Sequence, residues 1–118
     1  MKPRNNIIQT KSFDFALNII NLSKLLQNNA EFIISKQLLR SGTSIGANVE
    51  EALAAQSRKD FISKMSIASK EARESRYWLR LLQVSQMVKG DYSENLKSVD
   101  EINRILTSIV KTSREKRL

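Results

Sequence analysis

Apolar and polar residues recur along most of this chain with the period of an α-helix. The first apolar run predicts a helix that begins at Thr10 or Ser12 and ends at the polar residues that follow Leu26. Its apolar positions step by three and four residues: Phe15, Ile19, Leu22 and Leu26. The residues before it, 1–9, are basic and predict a flexible arm.

The second run predicts a helix with small residues on its apolar side. Asn28 and Glu31 have the spacing of a capping box and are expected to open it. Its apolar stripe is Ile34, Leu38, Ile45, Val49 and Ala52, with Ser41 on the same line. Gly42 and Gly46 also fall within it, and each costs about 1 kcal/mol relative to Ala in a helix interior. Either a neighbouring helix approaches closely or the helix kinks there, or backbone is exposed for a ligand.

The third run predicts a long helix, capped by Ser57 with Asp60 three residues later, that reaches Ser85 or Met87 and is ended by Gly90. It has three faces. The apolar face contains Phe61, Met65, Ala68, Ala72, Leu79 and Leu82. The basic face contains Arg58, Lys59, Lys70, Arg73, Arg76 and Arg80. The third face contains Asp60, Ile67, Glu71, Glu74, Trp78 and Leu81.

A fourth amphipathic run, capped by Ser93 or Asp91, completes the pattern. Its stripe is Leu96, Val99, Ile102, Leu106, Ile109 and Val110. Four such helices with short connections predict an all-α fold, an antiparallel up-down-up-down four-helix bundle. The bundle is expected to form a single domain over residues 10–112, followed by a basic C-terminal tail, 113–118.

Composition narrows the class of function. The chain has 118 residues, which suits one domain, and 20 basic against 12 acidic residues give a formal charge of +8. Such an excess favours a polyanionic partner, RNA or DNA, although a generally basic protein is the alternative. No apolar run approaches the roughly 18 residues of a membrane span, and no signal-peptide pattern follows the N-terminus. We therefore expect a cytoplasmic protein with no membrane partner.

Catalysis and cofactor chemistry have few candidate residues here. The chain has no His and no Cys, which excludes Ser–His and Cys–His nucleophilic pairs and thiolate metal sites. We expect no catalytic residue, no cofactor and no metal. The carboxylates Glu50, Glu51, Glu71 and Glu74 fit ion pairing with Arg and Lys better than acid–base catalysis. Ser44 and Asn48, four apart, are expected to form a hydrogen-bonded pair that fixes helix register.

An amphipathic surface helix needs only an apolar face and a polar face, so the third face of the third helix requires an explanation. Aromatic residues bordered by charge, such as Trp78, are typical of protein–protein interfaces. Trp78 either packs beneath a loop or the N-terminal arm, or it mediates self-association, which we favour. A contact between this face and the basic face of another copy would be head-to-tail and able to close a ring. The arginines can therefore serve phosphates or a subunit interface, and the sequence does not divide them.

The stretches 38–52 and 59–82 closely resemble the signature of the bacterial four helix bundle protein family, also called intervening-sequence proteins. Some members are encoded within the large-subunit ribosomal RNA gene. The resemblance implies an up-down bundle that assembles into a homopentameric ring and has no established enzymatic activity. It also implies a relative in the accessory protein of diversity-generating retroelements, a basic pentamer that binds nucleic acid and a reverse transcriptase. Many members have Pro where this chain has Gly46, which adds to the expectation of a kink there.

These observations give two hypotheses. The first is a non-enzymatic, ring-forming bundle that binds structured RNA or DNA through the basic face. The second is a protein-interaction scaffold, for example an accessory of a nucleic-acid-processing enzyme such as a reverse transcriptase, with no direct role in nucleic-acid binding.

Overall fold

The chain folds into four α-helices that form a bundle. The computed structural model describes residues 3–115, with side chains from residue 7 onward. The helices are α1 (Pro3–Asn28), α2 (Ile33–Leu53), α3 (Arg58–Ser85) and α4 (Ser93–Glu115). Each helix packs against its neighbours in sequence, α1 also packs against α4, and no diagonal pair of helices is in contact within the described range. The predicted up-down-up-down fold is confirmed.

The core runs along the bundle axis, and the apolar stripes of the sequence supply it. The bundle measures 50 × 21 × 21 Å, so it is more than twice as long as it is wide. The largest side chains that are less than 2% exposed are Ile8, Phe15, Ile19, Leu26, Leu38, Ile45, Met65, Leu79, Leu82, Ile102, Leu106 and Ile109. Each of the four helices contributes to this set, so burial of one stripe per helix stabilises the fold.

Helix α1 begins earlier than the sequence predicted. It starts at Pro3, so the predicted start at Thr10 or Ser12 is wrong, and residues 3–9 of the expected flexible arm are helical. Pro is favoured in the first turn of a helix because its missing N–H needs no partner there. Ile8 is fully buried, which gives the second turn of α1 a packing contact. Residues 1 and 2 of the arm, and 116–118 of the tail, lie outside the described range.

The close approach predicted at the glycines occurs at Gly42. A Cβ atom at Gly42 would lie 2.9 Å from Cγ2 of Ile19, which is fully buried in α1. At Gly46 it would lie 3.4 Å from the carbonyl oxygen of Ser12, an ordinary contact. Helix α2 is continuous from Ile33 to Leu53, so neither glycine interrupts it. Gly42 therefore sets how near α1 and α2 can lie.

The cap of α2 differs from the predicted one. Helix α2 starts at Ile33, and the carboxylate of Glu31 accepts hydrogen bonds from the backbone N–H groups of Ile33, Ile34 and Ser35, at 3.1, 3.1 and 2.7 Å. Asn28 belongs to the last turn of α1 and does not cap α2. The capping-box spacing failed because the buried carboxylate itself satisfies the free N–H groups of the first turn.

The remaining helix ends are partly as predicted. Ser57 caps α3 and accepts a hydrogen bond from the Asp60 N–H at 3.0 Å, as its spacing predicted. Gly90 does not end α3: Gln86 does, in the left-handed conformation with φ of 53°. Asp91 caps α4, since its Oδ1 accepts from the Ser93 N–H at 2.9 Å. None of the four described helices is long and apolar enough to cross a membrane.

Candidate nucleic-acid interface

The basic face of α3 lies on the outside of the bundle. Lys59, Lys70, Arg73 and Arg80 are exposed along this helix. Within residues 7–115, none of these four forms an ion pair with a carboxylate. The basic face therefore presents a row of solvent-exposed cationic groups that no carboxylate of the described residues neutralises. Phosphate binding needs such an arrangement.

Two members of the predicted basic face are engaged elsewhere. Arg76 Nε donates to Asp100 Oδ1 of α4 at 2.6 Å, and both side chains are only partly exposed, at 43% and 38%. This pair ties α3 to α4 and neutralises the charge of Arg76 locally. Arg58 is exposed but takes part in an interaction of its own. Asp100 was not singled out from the sequence.

Two acidic residues of the third face, Glu71 and Glu74, are bound within the chain by an arginine of α2. Arg40 donates to both Glu71 and Glu74, and its N–O distance to Glu71 is 3.4 Å. Trp78 Nε1 donates to the Glu74 carboxylate at 3.1 Å. We call Arg40, Glu71, Glu74 and Trp78 the Arg40 cluster. It satisfies both carboxylates without any second copy of the chain.

The apolar residues of the third face are half-buried. Ile67, Trp78 and Leu81 are each intermediate in exposure, and Trp78 packs against the hydrophobic core. Tyr77 is 55% exposed, and its ring meets that of Trp78 edge-on at 5.2 Å. Asp60, at the start of the helix, is exposed. Trp78 therefore contacts Glu74, Tyr77 and the core while part of its side chain stays exposed.

Ser44 and Asn48 do not bond to each other's side chains. Asn48 Nδ2 donates to the main-chain oxygen of Ser44 at 2.9 Å, and Ser44 Oγ donates to the main-chain oxygen of Arg40 at 2.7 Å. The predicted pair is thus a hydrogen bond from the Asn48 side chain to the Ser44 main chain, and both side chains bond to a carbonyl one turn earlier in their own helix. The buried polar link between helices is made by Ser41 and Ser75.

Other carboxylates of the sequence have structural contacts. Glu50 accepts two hydrogen bonds from Gln9 Nε2, at 3.0 and 3.2 Å, and so connects α2 to α1. Lys11 and Glu101 form an ion pair of 3.1 Å between α1 and α4. Among the described side chains, no group of three or more acidic residues lies close enough together to hold a metal ion.

Comparison with known proteins now adds to this geometry. The profile of the 23S rRNA-intervening sequence proteins matches residues 4–108, nearly the whole chain. The chain belongs to this family. A solved structure from the S23 ribosomal protein family of Bacteroides thetaiotaomicron, a protein of unknown function, is 49% identical, with a TM-score of 0.86. The match covers 92% of this chain and 98% of that one, while no curated protein matches.

Membership of the intervening-sequence protein family confirms the resemblance drawn from residues 38–52 and 59–82. The profile spans α1, α2, α3 and most of α4, including every residue of the predicted basic and third faces. Lys111 and Arg114, which extend the basic surface onto α4, lie beyond the matched range.

The sequence pattern did not identify Arg40 and Asp100 as partners of the α3 side chains. Aligning consecutive helices as antiparallel pairs would have identified both. When α2 and α3 are folded back about residues 54–57, Arg40 falls opposite Glu71. The same operation about residues 86–92 brings Arg76 near Asp100. Periodicity within one helix cannot show this, because it defines faces but not which partner face each one meets.

Proposed function

We propose that this intervening-sequence family protein is a non-enzymatic, self-associating helical bundle that binds structured RNA or DNA through the basic surface of α3. The observation that supports it is the row of Lys59, Lys70, Arg73 and Arg80, exposed and without carboxylate partners among the described residues. Phosphate contacts from such a row release condensed counterions, and this release drives binding.

The proposed binding is electrostatic and weakly specific for sequence. The formal charge of +8 attracts a polyanion at long range, and a ring of copies would multiply it. Base stacking has little to offer here, since Trp78 is engaged by Glu74 and the core, and only Tyr77 of this pair is exposed. Recognition would therefore depend on the shape and charge of the nucleic acid.

Self-association is the second part of the proposal, with a homopentameric ring as the form that the family resemblance implies. The third face supports it: Ile67, Trp78 and Leu81 are partly exposed apolar side chains beside the ion pairs of Arg40 with Glu71 and Glu74. Because Arg40 already pairs with Glu71 and Glu74, the exposed arginines of α3 are not needed to neutralise these carboxylates. That supports assigning Arg73 and Arg80 to phosphate. We expect Trp78→Ala to shift the particle toward monomer in sedimentation, and an unchanged mass would remove Trp78 from the interface.

The decisive experiment measures anisotropy of labelled duplex DNA and structured RNA across a salt series. The test variant is Lys70→Gln with Arg80→Gln. The control is Lys24→Gln with Lys36→Gln, two exposed lysines on α1 and α2 with the same change of charge. For duplex DNA, loss of two phosphate contacts should reduce the log–log salt slope by about 1.8. Equal slopes for test and control would contradict the basic face as the site.

The scaffold hypothesis is favoured by a different observation. Six large apolar side chains of α1 and the α1–α2 junction are exposed by 45% to 77%: Ile7, Phe13, Leu17, Leu25, Phe32 and Ile33. Exposed apolar residues of this size are typical of contacts with another protein. Loss of all nucleic-acid binding by the wild-type protein at about 150 mM salt would favour this alternative, since the charge would then be generic.

A further inference from the structure

A basic groove lies between α3 and α4, beside the exposed face of α3. Its volume is about 440 Å³, and it is open to solvent along one side. Helix α3 contributes Ser66, Ser69 and Arg73, and α4 contributes Lys111, Arg114 and Glu115. The Arg76–Asp100 ion pair joins the same two helices one turn further along α3. The walls of the groove are thus two helices held together by the core and by that pair.

The groove has an excess of positive charge. Three cationic side chains and one carboxylate line it, which leaves two formal positive charges. Within the described part of the chain, none of Arg73, Lys111 and Arg114 forms an ion pair with a carboxylate. A cleft lined by one sign of charge with low-dielectric walls concentrates the field and attracts counter-ions more strongly than a convex surface does.

One of the cations is oriented by a buried hydroxyl. Arg73 donates from one terminal nitrogen to Ser69 Oγ at 2.9 Å, and Ser69 is only 6% exposed. This bond holds the guanidinium over the groove and leaves its other N–H donors available. A guanidinium held in place binds phosphate oxygens with two parallel hydrogen bonds, which an ammonium group cannot do.

A second hydroxyl in the groove has a polar atom without a partner. Ser66 Oγ is shielded from solvent and forms no hydrogen bond within the described residues. Buried hydroxyl groups are normally satisfied, so Ser66 Oγ is a spare donor on the wall of the groove, and it reaches a ligand oxygen when its side chain rotates toward the opening. A phosphate oxygen accepts from both a hydroxyl and a guanidinium, and Ser66 and Arg73 line the same groove.

We propose that this groove binds a phosphate group of the nucleic-acid backbone, held by Arg73, Lys111 and Arg114 with a hydrogen bond from Ser66. The inference rests on the proposed function and adds a specific site to it. It also extends the site to α4, whose Arg114 the sequence pattern placed in a basic tail. The exposed residues Lys70 and Arg80 then contact neighbouring phosphates of the same strand.

The test uses a groove variant that carries both Arg73→Gln and Arg114→Gln. Its binding to duplex DNA in a salt series is compared with that of the control variant, which carries both Lys24→Gln and Lys36→Gln. We expect the groove variant to lose affinity and its log–log salt slope to fall by about 1.8, while the control keeps nearly the wild-type slope. Ser66→Ala should weaken binding without a change of slope, because it removes a hydrogen bond and no charge. Circular dichroism verifies folding, and Lys111→Gln, at an exposed position, replaces any variant that fails to fold.

Failure of the groove and failure of the proposed function are distinguishable. If the wild type binds, Lys70→Gln with Arg80→Gln weakens binding, and the groove variant behaves like the control, the groove inference is overturned while the function stands. If the wild type does not bind nucleic acid, the function fails. In that case, titration with inorganic pyrophosphate still tests the groove: amide NMR shifts at Ser66, Ser69 and Arg73 support it, and their absence overturns it.

Discussion

Ser75 donates a hydrogen bond from its hydroxyl to Ser41 Oγ at 2.8 Å, across the contact between α3 and α2. Both side chains are completely buried. Ser41 in turn donates to the main-chain oxygen of Leu38 at 3.4 Å. Two small hydroxyl residues thus allow these helices to approach closely and still satisfy their polar atoms. The link lies next to Arg40, which bridges the same helices on the surface.

The stability losses of the two single serine variants of this link should add up to more than the loss of the double variant. Ser41→Ala deprives the buried Ser75 hydroxyl of its acceptor, and we expect a loss of about 1 to 3 kcal/mol in the free energy of unfolding. Ser75→Ala leaves Ser41 its bond to Leu38 and should cost about 1 kcal/mol. The double variant should be less destabilised than the sum, because both partners are then apolar.

Urea unfolding of the four proteins gives this cycle directly. Ser63→Ala, at an exposed position of α3, is the matched control and should change stability by no more than about 0.5 kcal/mol. Strictly additive losses for Ser41 and Ser75 would show that the two hydroxyls are energetically independent.

The two glycines of α2 should respond to alanine with opposite signs. Gly42→Ala places a Cβ 2.9 Å from buried Ile19, so α1 and α2 must move apart, and we expect a loss of about 1 to 3 kcal/mol. Gly46→Ala meets only ordinary contacts at 3.4 Å and longer, so helix propensity should dominate and raise stability by up to about 1 kcal/mol. Thermal and urea unfolding of both variants measures this. Equal changes in stability for the two variants would mean that α2 moves away from Ile19 at little cost, so that Gly42 does not set the distance between α1 and α2.

Glycine in place of Ala30, at the C-terminal end of α1, should raise the stability of the protein. Ala30 has φ of 61°, and the Glu31 N–H donates to the Leu26 carbonyl at 2.9 Å, the arrangement of a Schellman motif. A Cβ is unfavourable in this conformation, so Ala30→Gly should raise stability by about 0.5 to 1 kcal/mol.

Gln86, at the end of α3, provides the contrast, measured in the same unfolding experiment. It has φ of 53°, but its side chain bonds to both the N–H and the carbonyl of Gly90, at 3.1 and 2.9 Å. Gln86→Gly relieves the backbone and loses these two bonds and a third, from Gln86 Nε2 to the Gln83 carbonyl at 2.8 Å, so its net gain in stability should be smaller than that of Ala30→Gly. A destabilised Ala30→Gly protein would refute the account of this helix end.

The cap of α4 should make stability depend on acid pH. Hydrogen bonds from the Ser93 hydroxyl, and then from its backbone N–H, hold the pKa of Asp91 below its ordinary value of 3.8. A carboxyl whose folded pKa is lowered stabilises the fold fully above the ordinary value, and this contribution is lost as pH falls through the folded pKa. The Tm difference between the wild type and Asp91→Ala should therefore be largest at neutral pH and shrink below pH 3.8. A constant difference would exclude the charge as its origin.

The four-helix bundle was predictable because the apolar stripe of each helix is visible in that helix's own sequence. The stripes through Phe15, Ile45, Leu79 and Ile102 identify the core without any knowledge of how the helices pair. Ser57 was identified as a cap because its partner, Asp60, is three residues away. Such local signals survive folding unchanged.

The errors arose where a distant or unusual contact decides the outcome. Ile8 extends α1 because it is buried against the bundle, although it lies outside the apolar stripe that begins at Phe15. Glu31 replaces Asn28 as the cap of α2 because its carboxylate is buried at the turn, and Gln86 adopts a conformation that usually favours Gly. The charge of Arg76 is neutralised by Asp100 and those of Glu71 and Glu74 by Arg40, pairings that need the register between helices.

The absence of diagonal contacts among the described helices has a consequence for how the chain folds. Three of the four helix pairs are hairpins of consecutive helices, so their contacts have short sequence separation, and low contact order is associated with folding in microseconds to milliseconds. Only the α1–α4 pair must close a long loop, at an entropic cost that grows with the logarithm of its length. We expect that pair to form last and to open first in hydrogen exchange. The α3–α4 groove belongs to a hairpin and would outlast the opening of that pair.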